Sequence, residues 1–281
     1  MIKIYTDIYE FLKNDLKENI SYDFTKNSYI VKVYDDINEL IVIKEEGGEL
    51  FVNGSTHLVE ELVENMITLG LEFTECTMSK ELAEIFTQKY VLNLGGNFIE
   101  LECPIKGYKT FIYKEGNIKT CVLAGGCFWC VGKPYYEYDG IIRVFSGYSG
   151  GNKVMPSYEE VKSQLTHHRE CIKLIYDENI ISYEEILDIY FETIDPLDAE
   201  GQFIDRGESY TSALYYKTEE MKDFILQYIK NEEEKIKKKF MVKLLPEEIF
   251  YMAEEYHQDY AVKNPELMEE ELILSGRKND L

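Results

Sequence analysis

The sequence predicts an α/β sandwich with a mixed sheet, preceded by a small α+β domain. Short segments rich in Val, Ile and Tyr, typical of strands, alternate with segments whose apolar residues recur at helical spacing. The polar stretch KEGN at residues 114–117 separates two parts of different character, and all four arginines follow it. Beyond it, an apolar strand runs into a glycine turn and a helix. We therefore expect one domain at residues 1–115 and another at residues 116–281.

Length and charge limit the possible functions. A chain of 281 residues can bury two ordinary cores without disulfide or metal support. A formal net charge of −23 would repel nucleic acid and anionic membrane surfaces. Acids and lysines interrupt the N-terminal apolar pattern, which argues against a secretory signal, and no apolar run is long enough to span a membrane. We expect a cytoplasmic protein whose six cysteines are reduced.

The first domain shows alternating helical and strand patterns but no recognisable chemical site. Helices are predicted at residues 6–20, 56–70 and 79–90, and strands at residues 29–35, 40–44, 97–103 and 108–113. Residues 45–54 are predicted to form a hairpin turn that enters a further strand. Its function stays open among binding of unfolded or oxidised protein, self-association and stabilisation of its neighbour.

The second domain begins with the strand and glycine turn at residues 119–126. Further strands are predicted at residues 140–151, 170–177 and 209–216, and helices at residues 157–165, 182–194 and 218–240. Ser182 is the expected cap of the second of these helices, because acidic residues follow it in the first turn. The aromatic-rich stretch at residues 246–265 is predicted to wrap around the domain without extending its sheet.

The chemistry is concentrated in GCFWC. The turn places Cys127 in the first turn of a helix, where the dipole can lower a thiol pKa from about 8.5 to roughly 3.5–7.5. Cys127 is thus a candidate nucleophile, and Cys130 lies within reach of a disulfide if the backbone permits it. Phe128 and Trp129 offer apolar walls that suit a small apolar group, such as a methyl on sulfur, better than a charge.

Other functions fit the same residues. A Cys-x-x-C pair is also half of a zinc site, which Cys121, Cys171, His167 or His168 would have to complete, although none forms a second pair at zinc-ribbon spacing. General thiol–disulfide exchange explains the pair equally well, and so does a non-enzymatic zinc or redox-sensing module. Two aromatic residues after a glycine turn are also common in ordinary cores.

Further motifs point to a family. GCFWC, GYSGGNKVMPSYEEV, THHRECIKLIYD, ISYEEILDIYFETIDPLDAEGQFIDRGESYTSALYY and EEYHQDYAVKNP follow one another along the chain. Over about residues 119–281 the chain resembles peptide methionine sulfoxide reductases of the A class, and it is most similar to the bacterial branch with a second cysteine in GCFWC. The resemblance implies reduction of methionine-S-sulfoxide, free or in proteins, to methionine.

The resemblance also implies residue roles. Cys127 matches the nucleophile that attacks the sulfoxide sulfur, and Cys130 the cysteine that resolves the resulting sulfenic acid. Phe128 and Trp129 match the apolar box for the methyl group. Glu170 matches the acid that protonates the sulfoxide oxygen, a role that burial favours by raising a carboxyl pKa.

Three further polar residues match the oxygen site. Tyr158 and Tyr210 match hydroxyls that bind the sulfoxide oxygen, and Asp205 matches a carboxylate of the supporting network. Taken singly, each has a plainer interpretation: a packing tyrosine, or an ion pair of Asp205 with Arg206. The family uses thioredoxin, or another dithiol, as reductant, and it requires no metal or bound organic cofactor.

The chain departs from the family pattern in three ways. His167 stands where glycine is usual, so the backbone or the pocket rim can differ there. Thr211 stands where arginine is common, which removes a charge near the site. No cysteine follows Cys171, so recycling rests on Cys130. Cys121 and Cys171 are predicted to be buried as small hydrophobic residues, with Cys171 as a conceivable backup thiol.

Overall fold

The chain folds into two compact units, Met1–Glu115 and Gly116–Leu281. The structure, a computed structural model, describes residues 2–5, 28–33, 40–44, 51–52, 75–80, 83–84, 87–93, 98–101, 108–113 and 117–277. None of the helices in these ranges is long and apolar enough to cross a membrane.

The first unit contains a seven-stranded sheet of order β1-β2-β3-β4-β5-β7-β6. The strands are β1 (Ile2–Tyr5), β2 (Ser28–Val33), β3 (Leu40–Lys44), β4 (Phe51–Val52), β5 (Glu75–Ser79), β6 (Phe98–Leu101) and β7 (Tyr108–Tyr113). Only β4 and β5 pair in parallel among these neighbours. The five predicted strands are confirmed, whereas β1 and β5 were not predicted.

The predicted helices of the first unit are only partly described. Those at residues 6–20 and 56–70 lie outside the described residues. Within 79–90, Lys80, Ala83 and Glu84 are α-helical and a π-helical turn covers Thr87–Val91, so the helical prediction is confirmed there.

The second unit is built on a six-stranded sheet of order β14-β13-β8-β10-β9-β15. The sheet is mixed, as predicted. Its strands are β8 (Ile118–Ala124), β9 (Ile141–Ser149), β10 (Arg169–Asp177), β13 (Ala213–Tyr216), β14 (Lys243–Pro246) and β15 (Tyr251–Met252), and a separate hairpin joins β11 (Gly201–Gln202) to β12 (Asp205–Arg206). Only β13 and β14 are parallel. The central strands β8 and β10 are buried on both faces, which explains their nearly continuous apolar sequences.

Helices cover the sheet. They are α1 (Phe128–Gly132), a 3₁₀ turn (Lys133–Glu137), α2 (Tyr158–Lys162), α3 (Tyr183–Thr193), α4 (Glu219–Ile236), α5 (Tyr260–Lys263) and α6 (Pro265–Leu274). The predicted cap of α3 is confirmed: the Glu185 N–H donates to Ser182 Oγ at 3.2 Å, and the Ser182 N–H donates to the Glu185 carboxylate at 2.9 Å. Helix α4 ends at Ile236, earlier than predicted, because Lys237 adopts the left-handed conformation.

The prediction for residues 246–265 is wrong in one respect. Tyr251–Met252 extends the sheet as β15, paired with β9 at Tyr148 and Gly147. The residues before β15 do cross a sheet face, where the Glu247 carboxylate accepts a hydrogen bond from the buried Lys173 ammonium at 2.8 Å. A two-residue edge strand carries too little alternation to be recognised from sequence.

Candidate active site

The turn before Cys127 needs its two glycines. A Cβ at Gly125 would lie 2.6 Å from Ile194 Cγ2, and Gly126 has φ +85°, in the left-handed region that glycine favours. The chain can therefore leave the buried strand β8 and begin α1 at once. Cys127 is the N-cap, and its carbonyl accepts a hydrogen bond from the Val131 N–H at 3.1 Å.

Cys127 and Cys130 are both free thiols, and they lie together below the surface. Their residues are 8% and 3% exposed. The pKa of the Cys127 thiol is raised well above its ordinary value, first by a hydrogen bond with the Cys130 side chain and then by burial. The predicted lowering of the Cys127 pKa is therefore wrong while both cysteines are free thiols. Helix α1 has only five residues, and its dipole does not offset the hydrogen bond and the burial.

Glu170 lies beside Cys127. It projects from β10, is 3% exposed, and accepts a hydrogen bond on Oε2 from the backbone N–H of Phe128 at 3.2 Å. Burial raises the pKa of the Glu170 carboxyl to about 8, with a smaller upward contribution from Asp205, while the Phe128 N–H and the Tyr210 hydroxyl oppose the rise. At neutral pH this group is mostly a protonated acid next to Cys127.

Two tyrosines complete the polar side of the site. Tyr158 begins α2, and Tyr210 ends the 3₁₀ turn Glu208–Tyr210. Burial, and then the charge of Glu170, raise the pKa of Tyr158 to about 12 and the pKa of Tyr210 above its ordinary range. Both hydroxyls thus keep their protons at neutral pH and can donate hydrogen bonds near the Glu170 carboxyl.

An aromatic box adjoins these groups. Phe128 is buried, with its ring centroid 6.0 Å from that of Trp129. The half-buried Trp129 indole stacks on Tyr260 at 3.7 Å. The His257 ring lies 5.0 Å from Phe128, 5.4 Å from Trp129 and 4.6 Å from Tyr158. These rings offer an apolar surface directly beside the two thiols.

Sequence reasoning assigned no role to the residues that support this box. Glu254 accepts hydrogen bonds from the Tyr158 N–H at 2.9 Å and the Tyr148 hydroxyl at 2.8 Å, so it holds the first turn of α2 in place. Burial lowers the pKa of His257, and neither ring nitrogen has a hydrogen-bond partner among the described residues. The motif EEYHQDY contained the signal, but only the fold shows what its members contact.

Asp205 joins the site from the β11–β12 hairpin, but not through Arg206. Its Oδ2 accepts a hydrogen bond from Arg277 Nη1 at 3.1 Å. Arg206 instead donates to Asp198, at 3.0 Å from Nη2 to Oδ1. The interpretation of Asp205 and Arg206 as a surface ion pair is therefore wrong.

The departures from the family pattern have physical explanations. His167 adopts φ +57°, the left-handed conformation that glycine favours, while its exposed ring lies 2.7 Å from Glu208 Oε2. Thr211 Oγ1 accepts a hydrogen bond from Arg169 Nε at 2.9 Å, so Arg169 brings a guanidinium to the region where Thr211 replaces one.

Cys121 and Cys171 are fully buried. Cys171 follows Glu170 in β10 and therefore faces the opposite side of the sheet, and burial raises its pKa to about 12. Burial likewise raises the pKa of Cys121. Within residues 117–277 and the other described segments, no three His, Cys, Asp or Glu side chains are placed to hold a metal ion.

Comparison with known proteins places this chain in a family. A family model for peptide methionine sulfoxide reductase matches residues 119–280. Peptide methionine sulfoxide reductase MsrA 2 of Staphylococcus aureus strain MW2 is 47% identical over 159 residues, which are 56% of this chain and 89% of that protein. MsrA of Bacillus licheniformis is 44% identical over 165 residues, or 58% and 91% of the two chains. Reduced Mxr1 from Saccharomyces cerevisiae superimposes with a TM-score of 0.51 at 30% identity, over 53% of this chain and 87% of that one.

Proposed function

Because the chain belongs to the peptide methionine sulfoxide reductase family, we propose that the unit at residues 116–281 reduces methionine-S-sulfoxide, free or in proteins, at Cys127. Thiol-dependent reduction of methionine sulfoxide is the activity of the chain, and the family resemblance in its motifs is confirmed. The residue roles that follow are proposals based on the geometry.

One observation carries these roles: a buried carboxyl whose pKa is about 8 accepts a hydrogen bond from the residue directly after the nucleophile. A sulfoxide oxygen is a poor leaving group until it is protonated, and Glu170 is mostly protonated at neutral pH. General thiol–disulfide exchange would use the two cysteines but would leave the Glu170 acid and the Tyr158 and Tyr210 hydroxyls without a role.

The pocket suits the substrate's two ends. The methyl group on sulfur would pack against Phe128 and Trp129, while the oxygen would point to Glu170, Tyr158 and Tyr210. Two neutral hydroxyls and one neutral carboxyl can donate to an oxygen that gains negative charge during attack. Because the donors and the rings are fixed on different elements, the pocket can distinguish the two epimers at sulfur.

The first chemical step transfers the oxygen. The Cys127 sulfur attacks the sulfoxide sulfur while Glu170 protonates the oxygen, and the thiol proton of Cys127 restores the Glu170 acid. The sulfur–oxygen bond of the substrate breaks as the oxygen passes to Cys127. Methionine leaves, reduced by two electrons, and Cys127 becomes a sulfenic acid.

The second step closes a disulfide. The Cys130 thiol, already hydrogen-bonded to Cys127, attacks the sulfenic sulfur, and water leaves with the Cys130 proton. An external dithiol, for which thioredoxin is our proposal, then reduces the disulfide and is itself oxidised. This cycle uses no metal and no bound organic cofactor. We infer a cytoplasmic location, since the cycle requires a reducing compartment.

A single-turnover assay tests these roles. Full-length protein without reductant should convert the S epimer to about one equivalent of methionine and leave the R epimer unchanged. Cys127→Ser should form none. Cys171→Ser is the matched control, since it removes an equally buried thiol from the opposite face of the sheet and should leave the yield unchanged. Methionine formation by Cys127→Ser would refute the assignment.

A further inference from the structure

The C-terminal helix α6 covers the two reactive thiols. Met268 is fully buried and packs in one cluster with Cys127 and Cys130, and Leu272 lies against the same cluster. The wall of the pocket on this side is therefore supplied by the last described helix of the chain. The placement of residues after α6 thus bears directly on the site.

The end of α6 turns sharply back. Gly276 has φ +76°, and its N–H donates to the Ile273 carbonyl at 3.0 Å. The Arg277 N–H donates to the Leu272 carbonyl, also at 3.0 Å. These two hydrogen bonds form a Schellman motif with glycine at the left-handed position. The backbone therefore fixes where the Arg277 side chain starts.

The Arg277 guanidinium contacts two parts of the site. Its side chain is 5% exposed, and Nη1 donates to Asp205 Oδ2 at 3.1 Å. Its central carbon lies 4.6 Å from the ring centroid of Phe203, which occupies the turn of the β11–β12 hairpin. Nη2 lies 2.6 Å from the position that a Cβ at Gly126 would take, so the guanidinium packs against the residue before Cys127.

From these contacts we propose that Arg277 is a positioning residue of the reductase site: it fixes the Asp205 carboxylate and braces the turn that carries Cys127. The proposal rests on the function proposed above. The Asp205 side chain is only 19% exposed, so its charge requires a nearby partner. The Arg277 guanidinium is that partner, although the two residues are 72 positions apart along the chain.

Arg277 thereby controls the charge near Glu170. Glu170 interacts electrostatically with Asp205, Tyr210, Lys162, Tyr158, Tyr148, Cys127 and Cys171. Asp205 is the carboxylate in this set that favours the protonated form of Glu170. Without Arg277 its charge is no longer balanced, and Glu170 should hold its proton to higher pH.

The test compares Arg277→Gln and Arg277→Lys with Arg206→Gln in the full chain. Arg206 lies on the same hairpin as Asp205 and carries the same charge as Arg277, but it pairs with Asp198. In Arg277→Gln, the alkaline limb of the single-turnover rate should move up by on the order of half a pH unit. The catalytic efficiency, kcat/KM, at pH 7 should fall several-fold because Asp205 becomes mobile. Arg277→Lys should return the alkaline limb of the single-turnover rate to its native pH, and Arg206→Gln should leave that pH unchanged.

A second measurement does not depend on activity. The infrared band of the protonated Glu170 carboxyl, identified by its loss in Glu170→Gln, should titrate at higher pH in Arg277→Gln than in the native chain. Equal titration in both proteins, or an equal shift in Arg206→Gln, would overturn the inference, even if thermal stability fell. Failure of the native chain to release methionine would instead count against the proposed function, and the band would still decide the role of Arg277.

Discussion

Replacing Glu170 with glutamine should make the reductase unit slower and more stable. The carboxyl pKa rises from an ordinary 4.5 to about 8 in the folded chain. Between these values the unfolded chain loses a proton that the folded chain keeps. The contribution of this proton to the free energy of unfolding is fully present below pH 4.5 and is lost as pH rises through 8. At about 1.4 kcal/mol per pH unit, the loss is at most about 5 kcal/mol by pH 9.

Glutamine removes this loss of stability at high pH, because its side chain stays neutral at every pH. Its amide oxygen can still accept the Phe128 N–H that Glu170 accepts at 3.2 Å. The free energy of unfolding of Glu170→Gln should therefore exceed that of the native chain by about 1 kcal/mol at pH 5.5 and by a few kcal/mol at pH 9. The single-turnover rate should fall by roughly 10²–10⁴, because no general acid remains.

The single tryptophan provides the assay. Trp129 lies in the site, so its fluorescence during urea unfolding reports on the reductase unit of the full chain. Measurements at pH 5.5, 7 and 9 avoid the isoelectric point near 4.6. Glu234→Gln, an exposed change on α4, is the control and should show no pH-dependent gain. Native stability that stays level between pH 5.5 and 9, or a less stable Glu170→Gln at pH 9, would refute the reasoning.

Two further substitutions separate the steps of the reaction. Cys130→Ser should release one equivalent of methionine and then stall with thioredoxin as reductant, because the Cys127 sulfenic acid has no partner thiol; continued turnover would show that another thiol resolves it. Tyr210→Phe should lower the single-turnover rate by about 10²–10³ with little change in KM, since the lost hydroxyl acts mainly on charge that develops during attack. An unchanged rate would place Tyr210 outside the oxygen site.

The sequence was most informative where pattern and local chemistry agree. The apolar strand β8, the glycine turn and the Ser182 cap each depend on neighbouring residues, so they could be predicted. The edge strand Tyr251–Met252 could not, because it exists only through pairing with β9. Its partner Gly147 allows that approach, since a Cβ there would lie 2.4 Å from the Tyr251 carbonyl oxygen.

In the site, too, the features that depend on tertiary contacts could not be predicted from the sequence. Motifs brought Cys127 and Glu170 to attention, but the pKa direction of Cys127 was predicted from the helix dipole alone. Burial and the contact with Cys130 outweigh the dipole, and both arise only in the tertiary fold. The partner of Asp205 was missed for a similar reason, because Arg277 is 72 residues away along the chain.

The raised pKa values of Cys127 and Glu170 make one further prediction, about the effect of pH on rate. An exposed thiol nucleophile becomes faster with rising pH as more thiolate forms. Here an early thiolate would place a charge in a buried pocket beside Glu170, whose own charge also raises the thiol pKa. When the Cys127 thiol and the Glu170 carboxyl are both neutral, no charge has to be buried before the attack. During the attack one proton moves from the Cys127 sulfur through Glu170 to the sulfoxide oxygen, without exchange with solvent. The single-turnover rate should therefore be level from pH 6 to 7 and fall through about pH 8 as Glu170 ionises. A rate that keeps rising from pH 7 to 9 would show that thiolate formation, and not protonation of the oxygen, limits the reaction.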